Sequence, residues 1–322
     1  MREDDTSRVG GPMADTVSRS AAHRLQDRPS LTAEAVTMAR ALEHLKPPDR
    51  RIIDDPWAHL FLSRASRTAL RAWSGSLTGR TLRRLGATGT SWVPLRHRFI
   101  DDHLIAALEG GAAQVVLLGA GYDTRAYRFA EELDGRPVFE VDLPAISRSK
   151  AATIERHADE LPATRVLRVE VDFEEQSLDE ELLRAGLEPD AVTFVTWEGV
   201  PMYLTRVAVK GTLDAVRSVV GPRSVIAHDM WTVVDDPGLM GTARRLAPSA
   251  LSFIGEPVTF CVHPEEIGCF YEQRGFEVTD VVSADDLVQR YSPGERALVD
   301  PSLYALTAAV PGSGRGKGRK VT

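Results

Sequence analysis

The chain has 322 residues, 39 Lys and Arg against 46 Asp and Glu, and a formal net charge of −7, which allows one large or two small self-sufficient cores and offers no broad basic surface for nucleic acid. Two cysteines, Cys261 and Cys269, are too few for a secreted disulfide framework and lack a metal-ligand pattern of four, so both are expected reduced in a cytoplasm. No apolar run approaches the roughly 20 residues that span a bilayer, and the charged N-terminus lacks the apolar stretch of a signal peptide, so the expectation is a soluble intracellular protein with no membrane contact.

Residues 1–29 are polar and rich in Arg, Asp and Ser, and read as mostly disordered. From Leu31, T-A-E-A-V-T-M-A-R-A-L-E-H-L repeats apolar residues at helical spacing, with Ser30 or Thr32 as a cap before Glu34. Pro47 and Pro48 stop this helix, and Asp54-Asp55-Pro56-Trp57 opens a second, short helical segment with its proline in the first turn. A third helical stretch, Ser63 to Leu85, is interrupted by Gly75 and Gly79. Residues 30–110 therefore read as a helical cap with the helices that lead into the main sheet.

From Gln114 the pattern changes to strands alternating with helices. The strands expected are Gln114 to Leu118, Val138 to Val141, Arg165 to Val171, Ala191 to Thr196, Ser224 to His228, Glu277 to Val282 and Leu303 to Val310, the last two without a long helix between them. This predicts a mostly parallel α/β sheet with helices on both faces and an antiparallel final strand. Asp235-Asp236-Pro237-Gly238 and Ser292-Pro293-Gly294 read as loops, so residues 30–311 are taken as one domain, with 111–311 as its core. Residues 312–322 carry Arg315, Lys317, Arg319 and Lys320 between glycines and read as a disordered basic tail.

The first strand ends in Gly119-Ala120-Gly121-Tyr122-Asp123-Thr124, and about twenty residues later Asp142 ends the second. Glycines there let backbone approach a ligand, and the acidic residue is placed to accept from ribose hydroxyls. The third glycine of a dinucleotide fingerprint is missing, and Asp123 would repel a pyrophosphate. A ligand with an amino group and a sulfonium, such as S-adenosylmethionine, tolerates it; an ordinary strand-to-helix turn is the plain alternative. The other strand ends add Glu140, Asp172 with Phe173 for a purine, Trp197, Glu198 and Tyr203, and His228 with Asp229.

These residues resemble the leucine carboxyl methyltransferase family, in particular its bacterial branch of S-adenosylmethionine-dependent O-methyltransferases. The resemblance runs from about Thr32 to Val310 and rests on R-H-R-F-I-D-D at Arg96 to Asp102, L-G-A-G-Y-D-T-R-A-Y-R at Leu118 to Arg128, F-E-V-D-L-P at Phe139 to Pro144, V-D-F at Val171 to Phe173, and W-E-G-V-P-M-Y-L at Trp197 to Leu204. It implies a class I methyltransferase (Rossmann-like) fold of seven strands under a helical cap. It implies S-adenosylmethionine as cofactor, with Arg96 on the methionine carboxylate and Arg98 as the neighbouring candidate. Gly119, Ala120 and Gly121 are then the close-approach turn, Asp142 the ribose acceptor, Asp172 and Phe173 the adenine contacts, and Glu198 the acid near the amino group. Asp123, Arg125 and Tyr203 match motif positions that brace loops. The chain departs from the family's R-T-R at His97 and, within Glu198 to Leu204, from its E-G-L-x-x-Y-L at Val200.

The acceptor implied is a carboxylate or hydroxyl oxygen of a small molecule, often in secondary metabolism; a protein C-terminus is the alternative, and a nicotinamide-linked oxidoreductase remains possible on fold alone. A phenol, with a pKa of about 10, would benefit from a base; His228 is the candidate, with a packing role as the plain alternative, and Tyr203 is the second catalytic candidate. The ring faces of Tyr122, Trp197 or Tyr203 are expected to favour the sulfonium.

Overall fold

The computed structural model describes residues 31–76, 79, 91–173, 175–233, 258–294 and 299–312. The expected disordered N-terminal segment, the Ser30 cap, the Asp235 to Gly238 turn, almost all of the third helical stretch beyond Ser76 and the basic tail lie outside them.

Seven strands form one sheet: β1 (Gln114–Leu118), β2 (Val138–Asp142), β3 (Val166–Glu170), β4 (Thr193–Trp197), β5 (Val225–Trp231), β6 (Glu277–Ser283) and β7 (Leu303–Ala309), in the order β3-β2-β1-β4-β5-β7-β6. The five strands from β3 to β5 are parallel, while β7 lies between β5 and β6 and runs antiparallel to both. All seven fall within a few residues of the predicted segments, and the antiparallel last strand is present. Between β6 and β7, where no long helix was expected, Ala284–Tyr291 forms an eight-residue helix, started by a reciprocal capping box of Ser283 and Asp286.

Strand periodicity divides the core between the two faces of the sheet. Val116, Leu118, Val141 and Val195 face one side, packed with Leu213 and Val216 from the helix Arg206–Val219. Val115, Leu117, Val138 and Phe194 face the other, against Leu95, Phe99, Ile100 and Leu104 of the helix Trp92–Glu109. Each such side chain contributes about 1.5–3 kcal/mol on burial. Truncating fully buried Phe99 to Ala would cost roughly 3–5 kcal/mol.

The reversal of strand order falls between β1 and β4, because β2 and β3 lie on one side of β1 and the later strands on the other. A crevice opens there at the carboxyl ends of the strands. Over it lies the first cap helix, α1 (Leu31–His44), which packs Ala41 against Ala58, Leu62 and Leu70. Within the cap, Arg40 Nη1 pairs with buried Asp55 at 2.6 Å, and Arg40 Nη2 reaches the core by donating to the carbonyl of Tyr122 at 2.6 Å. Asp55 also accepts from the Thr124 hydroxyl at 2.8 Å, so the cap and the glycine turn share one polar junction.

Candidate active site

A cavity of about 330 Å³ fills the crevice, at the small end of the roughly 300–1,000 Å³ usual for small-molecule sites. β1 stops at Leu118, and Gly119 and Gly121 then take positive φ of 63° and 44°, a backbone region that side chains disfavour. A Cβ on Gly119 would lie 2.3 Å from Val200 Cγ2, so the turn has no room for one. The turn is held from the next strand: Asp142 accepts from the Gly121 N–H at 2.5 Å through Oδ2 and from the Leu143 N–H at 2.7 Å through Oδ1. Burial raises the Asp142 carboxyl to about 6, against the opposing pull of those two N–H donors.

Beside the turn sits a buried charge cluster. Arg125 donates to Asp101 (2.6 Å), Asp123 (2.5 Å) and Glu198 (2.7 Å). Arg128 adds a 2.7 Å bond to Asp101. Arg96 donates through Nε to Glu198 at 2.9 Å and through Nη1 to Asp229 at 2.6 Å, which leaves Nη2 at the cavity wall beside Gly199. His97 Nδ1 lies 3.0 and 2.9 Å from the two Glu198 oxygens. Burial alone would raise the Glu198 carboxyl, but His97, Arg125 and Arg96 outweigh it and hold it well below the usual range. Burial, and then Arg125, push the His97 imidazole down, so it is neutral at neutral pH.

The cavity brings together Arg96, Gly119, Ala120, Gly121, Asp142, Asp172, Phe173, Glu198 and Tyr203. Tyr122 is on the same wall, stacked on Phe61 with centroids 5.8 Å apart. His228 is not. Its ring is fully buried beyond Trp197, with Nε2 against the Tyr271 hydroxyl and Nδ1 3.0 Å from the carbonyl of Asp229, so packing engages both nitrogens. The expectation of a base at His228 is therefore withdrawn. Trp197 is likewise fully enclosed, between Phe173 and His228, and offers no ring face to the cavity. Arg98 turns outward to Asp102 and the Tyr291 ring.

Arg40, Asp101 and Asp55 were not singled out in the sequence, and His97 figured only as a departure from a motif. For Arg40, His97 and Asp101 the signal is an ionisable residue on the inward face of an otherwise apolar helical pattern, whereas Asp55 stands in the loop before Ala58–Phe61. His97 and Asp101 are one helical turn apart and both buried. Asp123, read as repelling an anion, has its charge offset by Arg125.

The leucine carboxyl methyltransferase family matches residues 33–217, more than half of the chain. The chain belongs to this family. A provisionally named S-adenosyl-L-methionine-dependent methyltransferase of Mycobacterium tuberculosis is 30% identical over 283 residues, covering 81% of this chain and 87% of that one. A relative from Parafrankia with the same description is 34% identical over 256 residues, 75% of this chain and 77% of its own. Among solved structures, a protein from Streptomyces avermitilis superposes with a TM-score of 0.52 at 17% identity, covering 85% of this chain and 97% of that chain. A methyltransferase-like protein from Thermobifida fusca gives 0.50 at 19% identity, covering 84% and 97%. These two show the class I methyltransferase fold.

The chain is thus a methyltransferase of this family, and its methyl donor is S-adenosylmethionine. The nicotinamide-linked alternative falls away. Among the described residues no helix is long and apolar enough to cross a membrane.

Proposed function

We propose that this methyltransferase acts on an oxygen of a small molecule, a carboxylate or a hydroxyl, in secondary metabolism, and that cap and core work as one catalytic domain. The observation that carries the reading is the cavity itself. Thr32, Ala33, Val36 and Thr37 of α1, with Val200, Tyr203 and Leu204 after β4, close an apolar chamber over the strand tips. The cavity of about 330 Å³ has to take cofactor and acceptor together, which leaves room for a compact acceptor rather than a folded surface.

The residues present fit the cofactor. Asp172 and Phe173 follow β3 and suit the adenine, Asp142 ends β2 and suits the ribose diol, and Gly119 to Gly121 allow close approach. Nη2 of Arg96 suits the methionine carboxylate. The sulfonium, when bound, supplies an already activated methyl group. The chain's own task is to align the acceptor oxygen and exclude water, which is worth several kcal/mol. Val36, Ile146 and Leu204 do the excluding, and the rings of Tyr122 and Tyr203 favour a positive centre over the neutral product. With His228 outside the chamber, a carboxylate, ionised at neutral pH, is the acceptor this wall serves best. Cys261 and Cys269 are both unpaired, which suits a reducing cytoplasm.

The test is transfer of a labelled methyl group to a panel of small carboxylic acids and phenols, beside a peptide ending in a leucine carboxylate. Base-labile label in small acids is the expected result. Label in the peptide alone, or on nitrogen, overturns the reading.

A further inference from the structure

His97 is the one site feature that departs from the family's motif and has an unmet bond. It is 2% exposed, part of the cavity wall, and its Nε2 has no hydrogen-bond partner among the described residues. Nδ1 faces both oxygens of an ionised carboxylate, Glu198, and so carries the ring hydrogen. Nε2 is then a lone pair, and a buried acceptor left without a donor is costly. The imidazole is held by its own burial and by Nδ1 to Glu198, a carboxylate that Arg96 and Arg125 also fix.

The order of the strands says which part of the ligand meets it. Asp172 follows β3, Asp142 ends β2, Gly119 follows β1 and Glu198 follows β4, and these strands are neighbours in that sequence. With adenine and ribose over β3 and β2, the amino-acid tail runs to β4, where Arg96, His97 and Glu198 converge. That tail has one carboxylate and one ammonium. The carboxylate needs donors, which Arg96 Nη2 provides; the ammonium needs acceptors. Glu198 already accepts from Arg96, His97 and Arg125. Of the three side chains converging there, the acceptor without a donor among the described residues is Nε2 of His97.

We propose that His97 binds the methionine ammonium of the cofactor through Nε2, with Glu198 fixing the tautomer from behind. The proposal rests on the cofactor placement given above, and the test separates the two. Titration calorimetry compares S-adenosylhomocysteine, its deaminated analogue, and methylthioadenosine, which lacks the whole amino-acid tail, on the wild-type chain, His97→Ala and His97→Gln. The expected result is that His97→Ala weakens S-adenosylhomocysteine about tenfold, equivalent to about 1.4 kcal/mol, and leaves the other two ligands unchanged. His97→Gln, which keeps an acceptor oxygen, recovers part of the loss. Unchanged methylthioadenosine binding also certifies that the variant is folded. If all three ligands weaken together, or none does, His97 only packs the wall and the proposal fails. If methylthioadenosine does not bind the wild-type chain, the cofactor placement fails instead.

Discussion

Asp142 accepts the backbone N–H of Gly121 at 2.5 Å, so the carboxylate that ends the second strand also sets the shape of the glycine turn after the first. The proposed ribose contact and the loop geometry would thereby be joined in one buried group.

One consequence is a pH dependence. Burial raises the Asp142 carboxyl to about 6, and ribose hydroxyls donate to the ionised form. Affinity for S-adenosylhomocysteine should be flat above about pH 7 and weaken about tenfold by pH 5, one proton being taken up. The contribution of Asp142 to the stability of the free protein has the opposite sign. The folded state binds this proton more readily than the unfolded chain, so between about pH 6 and 4 stability from this group rises as pH falls. Titration from pH 5 to 8 checks the first point, and Asp142→Asn should flatten the profile.

The glycine turn yields a steric prediction. Gly119→Ala would place Cβ 2.3 Å from Val200 Cγ2 at a φ of 63°. It should lose more than the ~1–2 kcal/mol of left-handed strain alone and should abolish cofactor binding. Gly135→Ala, at a φ of 75° with nothing near its Cβ, should show the strain alone. Urea unfolding of the two variants makes the comparison.

Arg125 should be the costliest single residue of the charge cluster. Its replacement by Met would leave Asp101, Asp123 and Glu198 buried with fewer counter-charges, a loss of about 3–5 kcal/mol. All three carboxyls are held below their ordinary values by neighbouring cations, despite burial. Their stabilisation is therefore fully present above about pH 4 and is lost as pH falls through the lowered values. Thermal melts of wild type should drop steeply below about pH 4.

His228 and Tyr271 should matter to stability and not to the reaction. Tyr271→Phe removes the hydroxyl that meets His228 Nε2 and should cost about 1–3 kcal/mol in unfolding free energy. S-adenosylhomocysteine affinity and kcat should be unchanged. A fall in kcat at undiminished stability would return His228 to the mechanism.

The strands were legible because parallel strands buried on both faces read as short apolar runs, as Val115 to Leu118 and Phe194 to Val195 do. The cavity-lining residues were legible because they stand at strand ends, where Gly119, Asp142 and Glu198 each interrupt such a run. What the sequence hid was long-range pairing. Nothing local distinguishes Arg96, which lines the cavity, from Arg98 two residues on, because the difference is a rotation of some 200° around one helix. The sequence placed His228 at a strand end, but β5 runs on to Trp231, and the ring packs against Tyr271 on a separate helix, Ile267–Glu272. The short helix between β6 and β7 escaped notice because eight residues hold only two turns of periodicity.

The most direct measurement of the central claim is the affinity of S-adenosylhomocysteine for the wild-type chain and for Asp142→Ala at pH 7.5. Single-site binding by the wild type and a loss of at least about tenfold in a folded variant, one lost charge-assisted contact, is the expected result. Equal affinity in the two would contradict a cofactor laid across the strand tips with its ribose on Asp142.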